Sequence, residues 1–290
     1  LASAMSSEME TPMKKFFALL LFASFMGSSA FAQENRDLHP WLTEKFSVDF
    51  GVYFPDREVE IGVDGSLAID SEDRDIDFDE NFGLQKGDDL FALNFGWRFG
   101  EKWELGAQYF ESDGQRQAVL QEDVEWGDFV FGEGTGVAAG LDFTLIRTFF
   151  GRNFDSADYH DFGVGIGLHY LEIGAFIEGN ATVNGQPAGF RREAAKAAAP
   201  LPNIGAWYVR SLSDRWALRA RLDWLSADVG DYDGTLINAA VGVNFKLFEH
   251  VGLGLSYNLF QLDVGVDDDG WRGEVKTTYE GLFAHASVYW

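Results

Sequence analysis

Apolar and polar residues alternate with a period of two along most of the chain from residue 45 onward. Phe46, Val48, Phe50, Val52 and Phe54 share one face of a predicted strand, against Ser47, Asp49, Gly51 and Tyr53. Phe91, Leu93, Phe95, Trp97 and Phe99 oppose Ala92, Asn94, Gly96 and Arg98. Trp103, Leu105, Ala107 and Tyr109 oppose Glu104, Gly106, Gln108 and Phe110. Phe162, Val164, Ile166, Leu168 and Tyr170 oppose Gly163, Gly165, Gly167 and His169. Trp216, Leu218, Ala220, Leu222 and Trp224 oppose Arg219, Arg221 and Asp223. Odd positions from Ile237 to Leu247 and from Val251 to Leu259 repeat the pattern. The last residues set Leu282, Ala284, Ala286, Val288 and Trp290 against Phe283, His285, Ser287 and Tyr289. Such alternation defines half-buried strands. Ten are predicted, at 45–63, 89–99, 102–112, 137–152, 161–173, 203–211, 215–226, 236–248, 251–262 and 274–290. The acidic stretch 64–88 is either a long loop or a further hairpin, which leaves twelve strands open, with eight as the lower count.

Two features put the apolar face on the outside. Aromatic residues bracket it, as in the pairs Phe162 and Tyr170, Trp216 and Trp224, Trp103 and Tyr109. About eight residues on a strand tilted by about 40° rise roughly 20 Å, near the height of a lipid-facing band between aromatic girdles. The opposite faces carry Gly, Ser and Asn with sparse charges of both signs, unlike a solvated surface. Tight turns at 100–102, 211–214 and 248–250, and a modest one at 153–161, alternate with longer polar stretches around 111–136, 174–200, 226–235 and 263–274. That asymmetry matches short periplasmic turns and long external loops. The expected fold is therefore all-β, a transmembrane antiparallel up-and-down barrel, with Trp97, Trp103, Tyr109, Phe162, Tyr170, Trp216, Trp224 and Trp290 at the membrane interfaces.

Composition narrows the class further. The chain has 290 residues, no Cys and a formal net charge of −25. Without cysteine there is no disulfide framework or thiolate metal site, and so negative a chain lacks the basic patches that nucleic acid requires. "MKKFFALLLFASFMGSSAFAQ" reads as a secretory signal: Lys14 and Lys15, an apolar run from Phe16 to Met26, and an Ala30-Phe31-Ala32 cleavage box. The run is too short to span a bilayer as a helix, which takes roughly 20 residues. Residues 1–32 are expected to be an upstream extension and leader, with translation beginning at Met13 and cleavage before Gln33. Residues 33–44 then form a periplasmic segment, and 45–290 the barrel.

The leader, the alternating strands and the terminal "SVYW" resemble Gram-negative outer-membrane β-barrel proteins, including small barrels of the OmpA or OmpW kind. The "APLPNIG" stretch at 199–205 and "DYDG" at 231–234 are similar to a set of uncharacterised barrels with no agreed activity. The resemblance implies residence in the outer membrane, with its lipid and lipopolysaccharide as partners. It also implies that Val288 and Trp290 belong to a terminal signal read by the barrel-assembly machinery. A monomer without cofactor is the expected form.

Charged residues on inward faces are the candidate chemistry. Asp49, Arg98, Glu104, Asp142, His169, Arg219, Arg221, Asp223, Lys246 and His285 are expected to form a lumen polar network. They could make a selective constriction, but cross-lumen ion pairs that close a narrow barrel are the simpler expectation. A barrel of about this strand number has room only for its own side chains. Catalysis is not expected: His285 and Ser287 lie two apart on one strand, about 7 Å, beyond contact. "DVGDYDG" and "VDDDG" cluster carboxylates without the spacing of a calcium loop. "RREAAKAAA" at 191–199 is a run of helix formers that Pro200 and Pro202 stop, predicting a short helix on an external loop or in the mouth. The expected role is structural or at the surface, with a filled lumen; a narrow channel for small or apolar solutes and a lipid-modifying enzyme are the alternatives.

The leader reading has a direct check. The intact mass of the protein from outer-membrane fractions should correspond to a chain beginning at Gln33. A mass retaining Met13 would contradict it.

Overall fold

A computed structural model describes residues 38–63, 76–77, 90–100, 102–157, 159–229, 232–268 and 271–290. After a one-turn helix α1 (Pro40–Thr43) come thirteen strands: β1 (Phe46–Val63), β2 (Ile76–Asp77), β3 (Leu90–Phe99), β4 (Trp103–Val119), β5 (Val124–Trp126), β6 (Phe129–Phe131), β7 (Gly136–Ala157), β8 (His160–Val183), β9 (Gln186–Ser211), β10 (Trp216–Val229), β11 (Tyr232–Phe248), β12 (Val251–Asp268) and β13 (Trp271–Tyr289). Ten of them pair antiparallel in the cycle β1-β3-β4-β7-β8-β9-β10-β11-β12-β13 and back to β1. The wall is a closed barrel of ten strands, and β2, β5 and β6 are short additions. Following paired residues from Phe46 round all ten strands returns to β1 at Glu58, a shear of 12 residues. A shear of this size goes with strands tilted by roughly 40°.

Faces follow the alternation. Phe50, Phe54, Phe91, Ile166, Leu222, Leu253 and Leu282 point outward and are exposed, Ile166 at 65%. Tyr53, Ala92, Phe110, His169, Asp223, Phe283 and Tyr289 point inward and are buried. The eight aromatics expected at the interfaces all sit on the outer face, at two levels. Near the chain ends, Phe46 stacks on Trp290 at 5.4 Å and on Trp97 at 5.9 Å, and Trp103 stacks on Phe150 at 5.1 Å. Tyr109, Tyr170 and Trp224 mark the other edge. Backbone bonds between Phe46 and Trp290, at 2.9 and 3.1 Å, fasten the last residue to the first strand.

Beyond the second girdle the strands run further than the sequence predicts. The stretches expected as long loops are mostly strand: 111–119 in β4, 174–183 in β8, 186–200 in β9, and the ends of β10 to β13. The helix expected at 191–199 is part of β9. There Arg192 pairs with Glu178, Ala195 with Ala175 and Ala199 with Leu171 in register. Ion pairs of 2.7 Å link Arg192 to Glu178 and Lys196 to Glu172. Helix propensity differs by only a few tenths of a kcal/mol per residue, and a continuous ladder outweighs it. The β8–β9 turn is Asn184-Gly185, with φ of 51° and 72°, the left-handed pair that a two-residue hairpin demands. The turn expected at 153–161 is narrower, since β7 ends at Ala157 and β8 starts at His160. Of the stretch 64–88, only Ile76 and Asp77 are described; they pair with β1 at Ile61 and Glu60, and the rest lies outside the described residues.

Orientation of the wall predicts a depth-dependent cost. Leu222→Arg, near the middle of the outward band and 45% exposed, should lower stability in lipid vesicles by about 2–4 kcal/mol. Leu218→Arg, as far from Trp216 as Leu222 is from Trp224, should cost a similar amount. Urea titrations in which neither change matters would contradict lipid contact on this face.

Candidate functional site

The lumen is filled in three levels. The lowest is a plug made by the segment before β1. Trp41, in α1, is buried and packs with Phe149, Trp207, Val209, Ala217 and Tyr289. The Arg219 guanidinium lies over its ring at 4.3 Å, a cation–π contact inside the wall. Arg98 holds the helix end by donating to the carbonyls of Trp41 (3.4 Å) and Leu42, and to Asp161 at 2.5 Å. His39 donates its backbone N–H to Ser211 Oγ at 3.1 Å and accepts from the Trp41 N–H through Nδ1. Burial pushes the His39 imidazole down to about 4, so it stays neutral in its slot. Glycines on the wall make room for the large rings: a Cβ on Gly163 would stand 2.2 Å from the Trp207 indole, and one on Gly151 2.4 Å.

Above the plug lies the polar level. Arg147 grips Asp223 with two hydrogen bonds, Nε at 2.5 Å and Nη2 at 2.8 Å, and both side chains are nearly sealed from solvent. Arg221 is 3.8 Å from the same carboxylate and donates to Gln108 Oε1 (2.9 Å) and Asn238 Oδ1 (3.1 Å). His169 is fixed as one tautomer: its Nδ1–H donates to Asn203 Oδ1, and its Nε2 accepts from Asn238, both at 2.9 Å. A second chain runs from Tyr289 to Asn244, from Asn244 to Ser287 Oγ (2.7 Å), and from Ser287 to Asp49 (2.6 Å). Asp49 also faces Arg219 at 3.4 Å. A cavity of about 90 Å³ remains among Trp41, Asp49, Glu104, Arg219, Arg221 and His285, space for about three waters.

The third level is aromatic. Phe110, Phe143, Phe260 and Tyr279 are almost fully buried, with ring centroids 5.3 Å apart for Phe110 and Phe143, 5.6 Å for Phe143 and Phe260, and 4.7 Å for Phe143 and Tyr279. Tyr53 and Phe283 join the same cluster.

The structure thus brings Asp49, Arg98, Glu104, His169, Arg219, Arg221, Asp223 and His285 to the lumen. Lys246 sits half-buried at the rim near His39. Asp142 is a correction: it is exposed on the outer face, because odd positions of β7 point inward, as Leu141, Phe143, Leu145, Arg147 and Phe149 do. That strand is apolar on both faces, and a one-residue misreading turns every side chain over. The same misreading hid Arg147, although an arginine in mid-strand has no place on lipid. Gln108, Asp161, Asn203, Asn238 and Asn244 were also missed, as was Trp41, since nothing local marks what they meet across the barrel. Ser287 hydrogen-bonds Asp49 and Asn244, whereas His285 Nδ1 faces the Phe283 carbonyl at 3.5 Å. No cluster of three or more His, Cys, Asp or Glu side chains suited to a metal occurs among the described residues. In "VDDDG" Asp267 and Asp268 end β12 and Asp269 lies outside the described residues, while in "DVGDYDG" Asp228 and Asp233 belong to β10 and β11 and Asp231 lies outside.

Breaking the central pair tests the lumen's energetics. Asp223→Ala strands the Arg147 charge and should cost about 3–5 kcal/mol, whereas the double change Arg147→Met with Asp223→Leu should recover most of it. Equal losses from the single and double variants in urea titrations would contradict this account.

No protein-family model matches the chain, and no curated relative matches its sequence. Among solved structures it is similar to the outer membrane protease OmpT of Escherichia coli, at 9% identity and a TM-score of 0.55, over 89% of this chain and 100% of that one. It also aligns with the toluene transporter TodX of Pseudomonas putida, at 9% identity, 83% and 89% of the two chains and a TM-score of 0.33. Ail, the attachment invasion locus protein of Yersinia pestis, aligns at 12% identity, 83% and 98% of the chains and a TM-score of 0.27. At such identities only the fold carries over, and OmpT alone of the three is similar enough to inform it. A closed wall of ten antiparallel strands, apolar outward and polar inward, with paired aromatic girdles, is the fold of an outer-membrane β-barrel protein.

Proposed function

We propose that this protein is a non-conducting surface barrel, whose role lies in its wall and external strands rather than in transport along its axis. One observation carries the reading: three obstructions stand in series. Trp41 fills the lower end, the Arg147–Asp223 and Asp49–Arg219 pairs cross the middle, and the Phe110–Phe143–Phe260–Tyr279 layer stops the top. A solute would have to part ion pairs whose charges then stand uncompensated in a medium of low dielectric, which is costly. Apart from the Tyr53 and Tyr279 hydroxyls, the aromatic layer offers an ion no polar group. On this reading the partners are the surrounding lipid and lipopolysaccharide, and the barrel works as a single copy.

Planar-bilayer recording of the refolded protein tests the reading. No unit conductance is expected from the native chain, nor from Trp41→Ala, because the aromatic layer remains. Combining Trp41→Ala with alanine at Phe110, Phe143 and Phe260 should produce openings. Regular openings of the native protein would replace this reading with that of a narrow channel.

A further inference from the structure

The barrel wall is not equally closed all the way up. β9 pairs with β8 along nearly its whole length, but with β10 only from Ile204 to Ser211. The ladder with β10 stops at Ile204–Trp224, the level of the outer aromatic girdle. The cause can be read from hydrogen-bond parity. Ser211 donates its N–H to Tyr159 on the β8 side, so odd residues of this part of β9 direct their backbone groups to β8 and even ones to β10. Leu212 donates to Trp216 and Lys246 to Arg215, which fixes the matching parity on β10. The next hydrogen-bonded partners above Ile204–Trp224 would be Pro202 with Ser226, then Pro200 with Asp228. Proline has no N–H to give. Both missing donors fall on the β10 side, so the β8 ladder loses nothing and the β10 seam stops.

Interior side chains beside this seam differ from their counterparts elsewhere. Leu145, Leu171, Leu236 and Phe260, at comparable depth, are 0–3% exposed. Leu201 and Leu225, which flank the seam and point inward onto the same apolar cluster, are only partly buried. Outside, Pro200, Pro202, Ile204 and Trp224 are exposed, continuous with the lipid-facing band.

We infer that the β9–β10 seam is a lateral slot that takes an acyl chain from the outer leaflet, seating its end against Leu201 and Leu225. The seam opens at the height where acyl chains meet the headgroup region. Leu201 and Leu225 give it an apolar interior lining, and on the β9 edge Pro200 and Pro202 offer no donor to another strand. The slot is independent of the axial obstruction, because a chain entering from the side stops at the aromatic layer.

The chain has no cysteine and folds as a whole, so the test uses the full protein refolded into phosphatidylcholine vesicles that carry a diazirine at the end of one acyl chain. After photolysis, adducts mapped by mass spectrometry should appear at Leu201 and Leu225 as well as on outer residues such as Ile204 and Leu222, and be absent from Leu145 and Leu171. The variant Pro200→Val with Pro202→Val restores both donors. It should lose the interior adducts while keeping the outer ones, which also serve as proof of folding. Unlabelled Leu201 and Leu225 in the native protein would overturn the inference, and so would labelling that the valine variant leaves unchanged. A native protein that cross-links to a second copy through Ile204 and Trp224 would overturn it in favour of edge pairing.

Discussion

Every backbone N–H and C=O in a lipid-spanning wall must be bonded within the protein, since hydrocarbon offers no partner. Closure of the sheet follows from that single demand. The pairings of β1 with β13 and of β9 with β8 and β10 leave no edge below the outer girdle, and the twelve-residue shear follows from closing ten tilted strands. The interior is then a narrow cylinder that must be filled by whatever residues alternate inward. Large rings need glycine opposite them, which is why Gly151 and Gly163 lie under Trp207. Charges need opposite charges, which is why Arg98, Arg147 and Arg219 each meet an aspartate.

The lumen therefore has an internal logic of neutralisation. Asp223 serves Arg147 directly and Arg221 at longer range, and neutral amides of Gln108, Asn203 and Asn238 absorb the remaining hydrogen-bonding capacity around His169. Such networks contribute little net stability compared with an apolar filling, but they set which residues can face one another across the barrel. The apolar layer above them does the opposite, contributing burial without specifying partners.

Much of this was legible in the sequence. Strict alternation located the ten strands to within a few residues at the ends joined by short turns, where the aromatic brackets are clear. It failed where alternation is ambiguous. Leu145, Ile146, Phe149 and Phe150 give β7 two apolar faces, so alternation there supports an inward Asp142 as readily as an inward Arg147. It failed again beyond the membrane, where Ala194 to Ala199 look helical by composition while β8 fixes them as strand. The Asn184-Gly185 pair, flanked by Ile173, Ala175 and Ile177 on one side and alternating residues on the other, was the local signal for that hairpin. The plug could not have been found in this way, because Trp41 is specified by residues far away in the chain.

That distance orders the assembly of the molecule in time. The surface that receives Trp41 is built from β7, β9, β10 and β13, and the His39–Ser211 bond spans 172 positions. That surface is complete only once β13, which carries Tyr289, has met β1. The segment preceding β1, although made early, can therefore make its full set of contacts only after the ring is complete. Closing so long a loop is slow relative to local pairing, so insertion of the indole marks the end of folding and reports that the ring beneath it has formed.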